Sequence, residues 1–534
     1  MIFSRQILIT IFFIIISAIG IGIFKDYGFG TDEHINRANG GISLNYIINI
    51  YNEYLNINTT KILLKEFNEN LMTYKDRDYG VAFDLPAMII ERILKITDSQ
   101  TQFFMRHLLT HTLFIVSLYF FYKLIKNQYN NYRLGFIGAL FLYATPRIFA
   151  ESFYNNKDIV FMAVFLIALY FSIEFIKIKN IKYALLSGLL TGIAINIRIV
   201  AIILPMILIS CFIIDSLKSN SDKIPKYLII ISLYFTTSVL ITIFLWPWLW
   251  TSPASHFIEA LRNMAKFRWL NWVFYRGFYY PSTELPWHYL PLWILITTPV
   301  YYLVLSLLGL VAILRKLINN NWKIYKNYFE LTDLIFLSIL IMPIFAVIFL
   351  KSTVYDGWRQ FYFIYPSIIF LSIKGLSILF SFFKSKYRLL PILIVTFFFL
   401  QTSYWIITNH PYQYVFFNKI AGNDWDKKFE MDYWGISNVD ALKYILKNDP
   451  NNIINIYGLG NTSIPQAFAL LETKDSNRLN KVTDFLSADY VITNYRFLGK
   501  IETAHELEKI KQSYDLVYEI KVDKKIIASV FKKS

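Results

Sequence analysis

Four groups of polar side chains stand beside long apolar runs, and their residue types suit chemistry at a lipid–water boundary. The first is Asp32-Glu33-His34. The second runs from Pro146-Arg147 through Glu151 to Asn155-Asn156-Lys157-Asp158. Asn196 and Arg198 form the third, and Lys351 with Tyr355-Asp356-Gly357-Trp358-Arg359-Gln360 the fourth. Adjacent acids beside a membrane cavity supply a general base, or oxygen ligands for a hard divalent cation. Guanidinium and ammonium groups clamp phosphate oxygens, arginine in a bidentate way. An acid beside such a clamp suits group transfer from a lipid phosphate carrier. The base takes the proton of an acceptor hydroxyl while the cations stabilise the departing phosphate.

Each group also has a plainer reading. Asp32-Glu33 fits the first turn of a following helix, where acids cap free N–H groups. Arg147, Arg198 and Arg359 fit topology anchors near lipid head groups, and Lys157-Asp158 a solvated pair capping a span. The seven histidines are scattered without metal-ligand spacing, which speaks against a zinc site. The single cysteine, Cys211, lies in an apolar run, so the chain can form no internal disulfide.

The elements that must hold these groups are membrane spans. Of 534 residues, 55% are hydrophobic and only 17% charged, outside the range of soluble domains and excluding a soluble cytoplasmic enzyme. The formal net charge of +16 gathers in short loops between apolar runs, a topology signal and not a nucleic-acid footprint. About eleven runs approach the length a bilayer asks for: 7–24, 103–124, 134–149, 159–176, 183–197, 199–214, 227–246, 289–314, 334–350, 361–383 and 389–408. The first reads as an uncleaved anchor. Basic residues crowd alternate loops at 123–133, 177–182, 218–226, 315–326 and 384–388, which predicts that these face the cytoplasm. Segments 25–102, 146–158, the Arg198 corner, 247–288, 351–360 and everything after 408 then lie outside, and all four polar groups with them.

Two external loops carry more structure than a connection needs. Stretches 32–55, 85–96 and 255–272 alternate apolar and polar residues at helical spacing, as interfacial helices do. Trp246, Trp248, Trp250, Trp269, Trp272 and Trp287 fit an aromatic belt. From residue 409 to 534 the composition turns polar. Strand-like stretches at 453–457, 490–493, 516–520 and 526–531, with helical ones at 439–447 and 464–471, predict a small external α/β domain. Gly458-Leu459-Gly460 is too short for a dinucleotide-binding motif. The expected fold class is therefore an α-helical polytopic membrane protein, residues 1–408, carrying a C-terminal α/β domain, residues 409–534.

The order of the polar groups along the chain resembles the membrane glycosyltransferases of the GT-C fold, which include protein O-mannosyltransferases and the lipid A aminoarabinose transferase. An Asp-Glu pair just after the first span, followed by a long loop with helices, is similar to that superfamily's catalytic loop. Thr145-Pro146-Arg147-Ile148-Phe149-Ala150-Glu151-Ser152-Phe153 with Asn156-Lys157-Asp158 looks like its second external loop. Tyr355-Asp356-Gly357-Trp358-Arg359-Gln360-Phe361 looks like its late loop, and His410-Pro411-Tyr412-Gln413-Tyr414 with Phe417-Asn418 resembles a motif after the last span of bacterial members. The likeness covers roughly residues 1–435 in layout.

The resemblance implies a transferase that uses a polyprenyl- or dolichyl-phosphate-linked sugar, with inversion at the anomeric carbon. It implies Asp32 as the catalytic base, or the group that positions the acceptor, with Glu33 in support. Arg147, Lys157, Arg198 and Arg359 become candidates for the carrier phosphate, with Asp158 orienting Lys157 or an arginine. A divalent cation stays open, since some members need one; Asp32 and Glu33 would hold it. The His-Pro-Pro stretch of the mannosyltransferases is absent from the first loop. Phe83-Asp84-Leu85-Pro86 stands there instead, which speaks against protein mannosylation and leaves Asp84 as a candidate second acid. The expectation is a glycosyltransferase of a bacterial inner membrane, acting on the outer face on a glycan, lipid or protein acceptor. A lipid-linked sugar transporter and a non-catalytic envelope assembly protein are the alternatives. No half-to-half repeat of the kind common in transporters is visible.

Overall fold

The computed structural model describes residues 2–55, 65–218, 224–319, 325–383, 387, 389–460, 463–496 and 501–534. Parts of the basic loops at 218–226, 315–326 and 384–388 lie outside the described residues, so their charge pattern is read from sequence alone. Among the described residues, eight helices are long and apolar enough to cross a membrane, or nine if one bent pair counts as a single span.

All eleven expected runs fall on helix, but not all on one straight span. In chain order the helices are α1 (Ile2–Ile23), α2 (Glu33–Tyr54), α3 (Asp84–Ile93), α4 (Ser99–Tyr129), α5 (Tyr132–Tyr143), α6 (Pro146–Tyr154), α7 (Asp158–Ile178) and α8 (Ile181–Ile197). There follow α9 (Ile203–Lys218), α10 (Ile224–Phe244), α11 (Pro253–Ala265), α12 (Tyr289–Thr297), α13 (Val300–Asn319), α14 (Tyr328–Leu350), α15 (Tyr365–Phe382) and α16 (Leu389–Thr408). The run 134–149 breaks at Thr145, where Pro146 starts α6 and the axis bends by 67°. The run 289–314 breaks at Thr298-Pro299 for the same reason, because a proline lacks the N–H that would continue the ladder. The segments Ile181–Ile197 and Ile199–Ile214 are too short to pass the length test, so a count of eleven full spans is not reached.

Local signals set the turns. Asp98 caps α4 by accepting from the Thr101 N–H at 2.8 Å, and Asn130 ends it in a left-handed conformation. Asn131 then caps α5 through the N–H groups of Arg133 and Leu134. Helix α7 is apolar on every side, and nearly all of it is buried among its neighbours, chiefly α4 and α8. A helix without a polar face belongs at the centre of a bundle.

Outside the bundle, α2 and α3 follow the expected helical stretches closely. The stretch 255–272 does not: its helix ends at Ala265, and Trp272–Tyr275 (β1) pairs with Phe278–Pro281 (β2) as an antiparallel hairpin. Arg276 and Gly277 supply the two left-handed residues of that tight turn.

The C-terminal region holds helix α17 (Ser437–Asn448) and strands β3 (Ile454–Leu459), β4 (Leu479–Lys481), β5 (Tyr490–Thr493), β6 (Tyr514–Val522) and β7 (Lys525–Lys533) in the order β4-β3-β5-β7-β6. Pairs β3–β4 and β3–β5 are parallel; β5–β7 and β6–β7 are antiparallel. Strand β4 was not foreseen, since Leu479-Asn480-Lys481 carries one apolar residue. Residues 409–436 pack into the helical core through Tyr414, Val415, Phe417, Trp425 and Trp434. A second apolar cluster, with Val439, Leu442, Ile456 and Ile492, begins beyond them.

Candidate active site

Between one end of the bundle and the α/β region lies a cavity of about 1060 Å³. Asp32, Lys157, Arg198 and Arg359 all line it, so residues from four distant parts of the chain meet there. Arg147, Glu33, Asp84 and Asp158 are not among the lining residues.

Asp32 sits at the cap position of α2, yet its side chain makes no capping hydrogen bond. Its carboxylate instead meets Nη2 of Arg359 at 2.9 Å and keeps 36% of its side-chain surface exposed. The helix-cap reading therefore fails, because the one bond it requires is missing. Glu33 turns the other way: it accepts the Gly30 N–H at 2.8 Å and pairs with Nε2 of His107 at 3.0 Å, fully buried. The two acids thus engage different partners, Arg359 and His107. Among the described residues no three His, Cys, Asp or Glu side chains group as metal ligands.

Arg359 is aimed by the turn before it. Lys351 ends α14 in a left-handed conformation, and Asp356 and Gly357 follow with φ of +53° and +70°. Two successive left-handed residues reverse the chain, and glycine takes the second at no steric cost. The guanidinium then bonds Asp158 Oδ2 at 3.0 Å, Asp32 at 2.9 Å and Asp356 at 3.3 Å, and stacks over Trp434 at 4.5 Å.

Asp158 is buried, not a solvated pair with Lys157. Asn155 does the capping of α7, accepting the Asp158 N–H at 2.9 Å and donating to Asp158 Oδ2 at 3.1 Å. That leaves the Asp158 carboxylate to bridge Arg198 and Arg359. A buried carboxylate holding two guanidinium groups fixes their geometry, as charge-assisted bonds do.

Lys157 Nζ donates to the Gly80 carbonyl at 2.7 Å and lies 3.8 Å from Asp84. The loop carrying Gly80 is itself tied to α8, because Asn196 Oδ1 accepts the Ala82 N–H at 2.7 Å. Burial pushes the Asp84 carboxyl above its usual range and the Lys157 ammonium below its own, while their mutual attraction opposes both shifts. Asp84 is thus turned toward Lys157 and Arg106, away from the cavity.

Arg147 does not reach the cavity. It is buried with its Nε donating to the Phe416 carbonyl at 3.1 Å and its guanidinium between Phe417 and Trp293, at 4.9 and 5.4 Å. The bend at Pro146 turns this first part of α6 inward, which the reading of 134–149 as one straight run concealed.

The cavity has two kinds of wall. Ile197, Ile199, Val200, Pro343, Val347 and Leu350 make one side apolar. Tyr433, Trp434, Lys481, Thr483 and Arg496 close the other from the C-terminal region, and Lys75, Asp76, Asp78 and Arg268 stand at its rim. Sequence reasoning missed this second set, since nothing in Arg496 or Lys481 marks them apart from other surface cations. Glu430, buried nearby, has its carboxyl pushed up to about 8 by burial and by the neighbouring Asp356, against the pull of Arg496. Chemically, the arrangement offers one accessible carboxylate, three cations beside it, an apolar slot and a polar mouth.

Residues 85–242, under a third of the chain, match the family model of dolichyl-phosphate-mannose-protein mannosyltransferases. That segment contains Arg147, Lys157, Asp158 and Arg198. Over that segment, within a helical membrane architecture, the chain is similar to a family of membrane glycosyltransferases. The chain is also similar over 98% of its length to two crystal structures of ArnT from Cupriavidus metallidurans, at 11% identity. The apo form has a TM-score of 0.48 with 98% of that chain covered, and the form bound to undecaprenyl phosphate 0.47 with 97% covered. No curated protein matches the sequence significantly.

Proposed function

We propose that the protein transfers a sugar from a polyprenyl-phosphate carrier to an acceptor hydroxyl, at the extracytoplasmic face of a bacterial inner membrane. The observation that carries this reading is the single cavity in which an accessible carboxylate, Asp32, stands against Arg359, Arg198 and Lys157 beside an apolar slot. The slot takes isoprenoid units and the cations take the carrier phosphate. The family match at 85–242 supports a lipid-phosphate donor. The basic residues crowding the alternate loops at 123–133, 177–182, 218–226, 315–326 and 384–388 support the outer face for the segments that line the cavity.

In the reaction, the acceptor hydroxyl oxygen attacks the anomeric carbon from the side opposite the phosphate. Its proton passes to the Asp32 carboxylate as the new carbon–oxygen bond forms. The bond from the anomeric carbon to the phosphate oxygen breaks, and polyprenyl phosphate leaves with that electron pair. Arg359, Arg198 and Lys157 stabilise the growing negative charge, and they are strongest where water is excluded. Attack from the opposite side inverts the configuration. Arg147, Glu33 and Asp84 take no part in these steps; they support the fold around the residues that do.

The test is transfer by purified protein in proteoliposomes, with a labelled polyprenyl-phosphate sugar and total envelope acceptors. Wild type labels an acceptor, and Asp32→Asn does not while still binding the carrier. Labelling by Asp32→Asn at the wild-type rate would overturn the assignment.

A further inference from the structure

The cavity is finished by the α/β region, and one residue there touches two of its working parts. Arg496 follows strand β5. Its Nη2 pairs with Asp356 Oδ1 at 2.5 Å, and its Nη1 donates to the Tyr433 carbonyl at 2.7 Å. Asp356 in turn meets Arg359 at 3.3 Å, and Arg359 meets Asp32 at 2.9 Å. The second branch reaches the same acid through the backbone. Trp434, next to Tyr433, accepts from the Thr31 N–H at 3.1 Å and from the Thr31 hydroxyl at 2.8 Å. Gly28 lies so close to this segment that a Cβ there would meet the Ile436 carbonyl at 2.1 Å. Asn494 fastens it from the β5 side, donating to the Asp432 carbonyl at 2.8 Å.

We infer that Arg496 is a positioning residue for the Asp32–Arg359 pair, so that the α/β region completes the catalytic centre. The role rests on the transfer reaction proposed above. A fork that grips a carboxylate and a carbonyl at once fixes both, and only arginine offers two parallel donors of that geometry. Displacing the reacting groups by about 1 Å costs about 100-fold in rate, so loosening either branch should show in turnover before it shows in binding.

Two measurements test this on the full-length protein in nanodiscs. Hydrogen–deuterium exchange should rise in segments 28–36 and 355–360 of Arg496→Ala, with helices α7 and α15 unchanged. In the transfer assay Arg496→Ala should lose roughly 10- to 100-fold in kcat with the donor KM within about threefold, and Arg496→Lys, which keeps the charge but not the fork, should recover only part of it. Asp356→Asn combined with Arg496→Ala should lose no more than the worse single variant, because both cut the same link. Unchanged exchange in 28–36, or a loss seen only in KM, would overturn the inference. A wild-type protein that transfers no sugar overturns the proposed function, while the exchange measurement still decides the role of Arg496.

Discussion

Arg359 Nη2 lies 2.9 Å from the Asp32 carboxylate, joining the first external loop to the turn after α14. The accessible acid is therefore partnered by a cation that the proposed reaction needs for phosphate. If the proposed reaction holds, a carrier phosphate that draws Arg359 toward itself would release Asp32, coupling donor binding to activation of the base. Asp158 keeps the guanidinium from swinging away during the exchange, since it holds Nη1 at 3.0 Å from the buried side.

Arg359→Ala is expected to weaken carrier binding at least tenfold, about 1.4 kcal/mol, and to abolish transfer. Arg359→Lys keeps the charge but loses the fork that spans Asp32 and Asp158, and should recover binding only in part. Isothermal titration with polyprenyl phosphate in detergent measures both. Equal affinity in wild type and Arg359→Ala would remove this residue from the clamp.

Arg147 should behave differently. It is buried between Trp293 and Phe417 outside the cavity, and a buried charge replaced by a well-packed apolar side chain is often neutral in stability. Arg147→Met is expected to keep carrier affinity within about twofold and to change the melting temperature by only a few degrees. A tenfold loss of affinity would return Arg147 to the phosphate clamp.

Asp158→Asn should be the most damaging of the charge substitutions. It leaves Arg198 and Arg359 without their shared buried carboxylate, and breaking a buried pair costs about 3–5 kcal/mol. The expected result is a thermal midpoint well below wild type in parallel with lost transfer. A normal midpoint with lost transfer would instead give Asp158 a direct part in the reaction.

Glu430 predicts a pH dependence. Its carboxyl stands at about 8 in the folded protein against an ordinary 4.5, so the folded state binds more protons than the unfolded one between those values. Stability should therefore fall as pH rises through that window, and level off above it. Glu430→Gln removes the titrating group and should flatten the decline, with the largest gain at pH 8–9. Thermal melts at pH 5, 7 and 9 check the sign; parallel slopes in wild type and variant would refute it.

Membrane class, helix positions and the groups worth suspecting were legible in the chain itself. Long apolar runs have no other home than a bilayer, and a charge beside them is costly enough to need a reason. Four of the suspected residues, Asp32, Lys157, Arg198 and Arg359, do share a cavity for which the spacing along the chain offered no distance. Direction was what the sequence lacked. Asp32 and Glu33 are neighbours that face opposite ways, and Arg147 is carried inward by a 67° bend that starts at a proline common enough to pass unnoticed. Arg496 and Asp356 show the limit most clearly, because a contact between a strand end and a distant turn leaves no periodicity or motif behind it. Local residue chemistry decided which elements form; only packing of the α/β region onto the bundle decided which side chains meet.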